Sequence, residues 1–274
     1  MPSAKTVASA FLFFVLALVA LQWLTDMVRP ENLLLEVPKV KLFAWLESPF
    51  SYLYLHLFTV VPILFLSFDK NVHYYKKWRF LFPAIAIMGF IFILWDIFFA
   101  AKGVWGFNDA YVSGIFWMGL PLEEWMFFIT VPFACVFIYE CLNYYVRRDL
   151  LFRSDKPLSI SLILVFLITG LMHWSQMYTA TTFLIAGGLL TWHFICVPNS
   201  YRTRFYLAYL VSWIPFLIVN GVLTGAYTKS PVVIYNPEEY LGIRITSVPL
   251  EDSVYSFILF LGVVTIFESF RSRG

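Results

Sequence analysis

The sequence twice sets a proline and a leucine in front of two acidic residues, as Pro121-Leu122-Glu123-Glu124 and as Pro249-Leu250-Glu251-Asp252. A carboxyl group kept from water retains its proton near neutral pH and then serves as a general acid. The candidate catalytic residues are therefore Glu123, Glu124, Glu251 and Asp252, crowded enough that some of them must stay protonated. Asp96 ends the apolar run before the first copy and Asn220 the run before the second. Asp96 could tune or reprotonate the acid, or be a simple interfacial aspartate; Asn220 suits a helix-to-helix hydrogen bond better than chemistry. Taken singly, each tetrapeptide is also an ordinary helix start, because proline in a first turn costs little and carboxylates there meet free N–H groups. Two copies at matching places favour a function.

Aromatic residues crowd the same neighbourhood, and Trp95, Trp105, Trp117, Trp125 and Tyr255 lie nearest the acidic pairs in sequence. Ring faces stabilise a developing carbocation without offering a nucleophile that would trap it, and flat rings suit a conjugated apolar chain. Packing is the plainer role for each ring taken alone. His56, His173 and His193 occur singly and His73 sits in a basic loop, so no metal site is expected. Cys135, Cys141 and Cys196 lie in apolar runs without CxxC spacing and read as buried free thiols. No GxGxxG follows a strand, so no cofactor is expected, and no DDxxD-like pair offers the magnesium ligands of prenyl transfer. Glu140, Asn143 and Glu268 are placed to pair with Arg147 or Arg271.

These residues must be positioned by elements that live in lipid. Of the 274 residues 61% are hydrophobic and 13% charged, against roughly a quarter charged in a soluble domain. No basic tract or zinc-finger spacing suggests nucleic acid. Apolar runs near 7–23, 51–68, 79–100, 115–145, 158–174, 178–197, 205–226 and 249–268 each approach the ~20 residues that cross a bilayer. The fourth is overlong and contains Pro121 and Pro132, which predicts a tilted or kinked helix with re-entrant first turns. With eight spans, 13 of the 19 Lys and Arg residues fall on one side, which puts both termini in the cytoplasm of a multi-pass cell-membrane protein.

The fold expected is an all-α polytopic membrane protein of about eight transmembrane helices with two three-helix repeats. Equivalent helices are four apart and so cross in the same direction, making the repeats parallel. The expected divisions are 1–50 for the first helix and its connection, 51–145 for the first repeat, 146–177 for a linking helix and 178–274 for the second repeat.

At Pro121-Leu-Glu-Glu124, Trp95-Asp96, Gly103-Val-Trp-Gly-Phe107 and Pro249-Leu-Glu-Asp252 the chain resembles the membrane-integral, heterodimer-type lycopene beta-cyclases, with both halves fused. The resemblance covers roughly residues 50–270. It implies a membrane-dissolved carotenoid such as lycopene as substrate, the bilayer and other carotenoid-pathway enzymes as partners, and no flavin. It also implies acid-catalysed, redox-neutral closure of linear end groups to beta-ionone rings. Glu123 and Glu251 then occupy the family's glutamate positions, with Glu124 and Asp252 beside them. Asp252 and Asn220 depart from the first copy, so the halves share one site unequally or only one motif is catalytic. Hydration of a carotenoid end, proton-coupled secondary transport and pigment binding without catalysis are the rival functions.

Overall fold

A computed structural model describes Val40 and residues 42–197 and 201–273. Among them are seven long helices: α1 (Ser51–Leu66), α2 (Trp78–Lys102), α3 (Leu122–Tyr145), α4 (Asp155–Met172), α5 (Met177–Cys196), α6 (Arg202–Leu223) and α7 (Leu250–Arg271). The last six are long and apolar enough to cross a membrane, and α1, at 16 residues, is shorter. It stops where Asp69 folds the chain back, its side chain accepting the N–H groups of Asn71 and Val72 at 2.8 and 3.1 Å. Those donors hold the Asp69 carboxyl below its ordinary range. The span expected at 7–23 lies outside the described residues.

The chain is an all-α polytopic membrane protein of two repeated halves. α1 packs on α3 as α5 packs on α7, and α2 crosses to α7 as α3 crosses to α6. Each half thus completes its packing on the other. Helix α7 is buried along nearly its whole length, whereas α4 packs on α5 and turns Leu164, Val165, Ile168 and Leu171 outward. That outward apolar face has lipid as its natural solvent.

Short ribbons join the helices at one end. Strand β1 (Trp105–Phe107) pairs antiparallel with β4 (Val233–Tyr235), with Gly106 opposite Ile234. The bonds flanking that ribbon match across the halves: Asn108 N–H to the Val232 carbonyl and Asn236 N–H to the Val104 carbonyl, both 2.8 Å. Strands β2 (Phe116–Trp117) and β3 (Leu120–Pro121) make one hairpin, and β5 (Arg244–Ile245) and β6 (Val248–Pro249) its counterpart. Residues 115–121 are therefore not the start of a long fourth helix. Met118 and Gly119 take φ of 53° and 83°, the left-handed pair of a tight hairpin turn that no helix accommodates. Proline then ends the strand with φ near −64°, and the helix begins at Leu122. Only Pro132 remains inside α3.

The opposite helix ends carry the ion pairs. Glu140, buried, meets Lys77 and also Arg271 at 2.9 Å, and Glu268 takes Arg271 at 2.9 Å and the Tyr139 hydroxyl at 2.7 Å. The expected pairing with Arg271 is present, and Lys77 rather than Arg147 supplies the second cation. Arg202 closes a second buried pair on Asp155, tying α4 to α6.

Candidate active site

Each Pro-Leu-Glu-acidic segment leaves a hairpin and opens a helix, so its two acidic residues stand about 100° apart around the axis and face different surroundings. The first of each pair turns back to the connecting loops. Glu123 accepts the Ser113 N–H at 2.8 Å, and Glu251 accepts the Leu241 N–H at 2.8 Å and the Thr179 hydroxyl at 2.7 Å. Both are buried, and in each the second carboxyl oxygen has no protein partner among the described residues. His56 braces the first of these turns, its Nε2 donating to the Glu123 carbonyl at 2.8 Å and its Nδ1 lying 2.9 Å from the Thr130 hydroxyl.

The second acidic residue of each pair faces a cavity of about 220 Å³. Glu124 accepts the Tyr52 hydroxyl at 2.7 Å, while Asp252 accepts Tyr178 at 2.6 Å and Tyr235 at 2.8 Å. Asp96 lines the same cavity within electrostatic reach of Glu124, one of its oxygens buried without a partner among the described residues. Three carboxyl groups drawn from both halves thus meet at one end of one chamber. Tyr235, on the ribbon outside the helices, has its phenol held well above its ordinary range by burial and by the adjacent Asp252. It therefore stays a hydrogen-bond donor throughout the neutral range.

The rest of the chamber is apolar and aromatic. Trp105, Asn220 and Tyr255 line it. Trp95 does not; it is buried behind Tyr255, with ring centroids 5.0 Å apart. Trp117 and Trp125 stack on each other at 4.2 Å at the β2–β3 hairpin, away from the cavity lining. The phenols of Tyr52, Tyr178 and Tyr235 are the site residues that motif reading misses. A signal existed for two of them: Tyr52 and Tyr178 are each the second residue of equivalent helices, α1 and α5. Among the described residues no three His, Cys, Asp or Glu side chains are grouped to hold a metal.

The sequence model of lycopene cyclase matches residues 49–142 and again residues 175–270. The chain belongs to the lycopene cyclase family. The two matched segments are the two halves that the helix pairing relates, and each lycopene cyclase segment contains one acidic pair. Family membership supports a carotenoid cyclase that works on a substrate held in the membrane. No curated protein and no solved structure matches the chain.

Proposed function

We propose that the protein is a lycopene beta-cyclase in which Glu124, Asp96 and Asp252 carry the proton cycle. The observation that carries this reading is the meeting of those three carboxyl groups at the polar end of an aromatic chamber. Glu124 and Asp96 are like groups lining one cavity, and among the described residues no Lys or Arg lines it beside them, an arrangement suited to sharing one proton. That proton passes to the terminal alkene of a linear carotene. The neighbouring double bond attacks the tertiary cation so formed, one carbon–carbon bond closes, and loss of a ring proton gives the beta-ionone ring. Asp252, already accepting two phenolic hydrogens, is the carboxylate suited to take that proton. One proton enters and one leaves, so the product has the mass of the substrate.

The rings of Tyr255, Trp105 and Phe127 line the path of the cation and offer π-faces to it. Glu123 and Glu251 are positioning residues in this scheme, holding the loops from which the hairpins and the Tyr235 ribbon are hung. In this reading the ion-paired ends face the cytoplasm, which the excess of Lys and Arg there favours, and the acidic end lies in the outer leaflet of the cell membrane. The deciding experiment incubates purified protein in lipid with lycopene and reads the product by mass and absorption. Ringed product of unchanged mass is expected; a gain of one water would mean hydration, and unconverted pigment would reject the enzyme.

A further inference from the structure

The two halves are related in fold, yet the cavity uses them very unequally. Along α3 its lining runs from Glu124 to Ile138, fourteen residue steps and therefore about 21 Å of helix. It continues on both neighbours of α3: Phe58, Thr59 and Pro62 of α1 on one side, Ser212, Pro215 and Phe216 of α6 on the other. Phe58, Pro62 and Pro215 are exposed on the apolar surface, so the cavity opens sideways into the hydrocarbon between α1 and α6. Each of these three helices carries an internal proline at the lining, Pro62, Pro132 or Pro215, which removes a backbone hydrogen bond and bends the helix.

The corresponding place in the other half is plugged. Setting Asp96 against Asn220 puts Met88, Phe92 and Trp95 of α2 where α6 has Ser212, Phe216 and Val219. Met88, Phe92 and Trp95 are buried, and Met88 lies so close over Gly262 of α7 that a methyl group there would come within 2.3 Å of it. Of the equivalent helices neither α5 nor α7 has an internal proline, and the one in α2, Pro83, lies before Met88, Phe92 and Trp95. The chamber is also capped at its acidic end by Trp105, Phe107, Val233 and Tyr235 of the β1–β4 ribbon. Among the described residues it is a pocket capped by that ribbon and open on the side between α1 and α6.

On the reading that the protein is a carotene cyclase, we infer that it closes the two ends of a linear carotene in separate visits and releases a one-ringed carotene between them. A pocket of about 220 Å³ is below the roughly 300–1,000 Å³ of sites that enclose a drug-sized ligand, so it takes one end group while the rest of the polyene lies in the mouth and in lipid. Only one set of carboxyl groups serves both ends. Presenting the second end requires the chain to back out, reverse in the bilayer and enter again, because a rigid polyene cannot turn inside the pocket.

The test supplies isotopically labelled lycopene together with unlabelled one-ringed carotene in about tenfold molar excess, in lipid with the intact protein. A retained intermediate reacts at an effective concentration that the outside pool does not dilute, whereas a released one is diluted more than about tenfold before its second ring forms, most of all early, when little of it has accumulated. Early two-ringed product that is almost free of label, its label content rising only as labelled one-ringed carotene accumulates in the pool, is the expected result. Undiluted label would overturn the inference while leaving cyclisation intact, and no ringed product at all would tell instead against the enzyme. The mouth is tested by Ser212→Met, which gives α6 the side chain that plugs α2. Folded protein with kcat/KM lowered about tenfold for either ring is expected, and an unchanged value in both Ser212→Met and Thr59→Phe would move the entrance elsewhere.

Discussion

Two adjacent carboxyl groups differ in what they touch, and that difference sets what their loss should do. Glu124→Gln keeps the size of the side chain and an oxygen that accepts the Tyr52 hydroxyl but cannot cycle a proton, so turnover should fall about 10²- to 10⁴-fold with little change in melting temperature; Asp252→Asn should lose turnover likewise and, with one oxygen in place of the two that accept Tyr178 and Tyr235, some thermal stability as well. Glu123→Ala and Glu251→Ala remove the acceptor of a half-buried backbone N–H, and the latter also that of the buried Thr179 hydroxyl, which costs about 1–3 kcal/mol and should show first as lost thermal stability. Full turnover in Glu124→Gln would reject its part in the proton cycle. Glu239 gives a prediction in pH. Burial raises its carboxyl above the ordinary range although it accepts the Met177 N–H at 2.7 Å. A raised acid binds more protons folded than unfolded, so its contribution is fully present below about pH 4.3 and is lost as pH rises through the folded value. Glu239→Gln should therefore raise the melting temperature at pH 8 relative to wild type, and the gain should shrink towards pH 4.

At the scale of elements, α2 packs on α7 where the Met88 side chain lies over Gly262. A Cβ there would fall 2.3 Å from the Met88 methyl and 2.8 Å from its sulfur, so Gly262→Val should push the buried end of Met88 out of its place and cost about 1–3 kcal/mol. At Gly89, where a Cβ would meet the nearest atoms of Phe128 at 3.5 and 3.6 Å, Gly89→Ala should be close to neutral. Thermal melting of the two variants checks both, and equal losses would contradict this account of the contact. The helices themselves were legible in the sequence, because twenty apolar residues bounded by charge admit few other structures. Their bounds at 78–102, 177–196 and 250–271 lie within a few residues of the runs expected. The ribbons were not legible, since strands of two or three residues have no periodicity to read. Nor could the sequence say which of Glu123 and Glu124 faces inward, because that depends on where the hairpin stops and the helix phase begins. Tyr235 reaches Asp252 from a loop seventeen positions upstream, a contact that only the pairing of β1 with β4 fixes.

At the scale of the whole molecule, the halves are interlocked rather than joined in series. α2 of the first half packs on α7 of the second, α3 on α6, and the central ribbon takes one strand from each. The chamber follows the same plan, with Asp96, Glu124 and Tyr52 from one half and Asp252, Tyr178 and Tyr235 from the other. Either half alone would turn apolar packing faces to lipid and leave its acids without their partners, whereas two separately made halves have the surface needed to find each other. Cutting the chain between Arg147 and Arg148, in the exposed connection before α4, should therefore give two pieces that assemble when co-expressed and recover cyclisation. Neither piece should convert lycopene by itself. Co-purification of the pieces and product analysis read this directly, and ringed product from one half alone would show that a single acidic motif, without the other half's carboxyl groups, is enough for the chemistry.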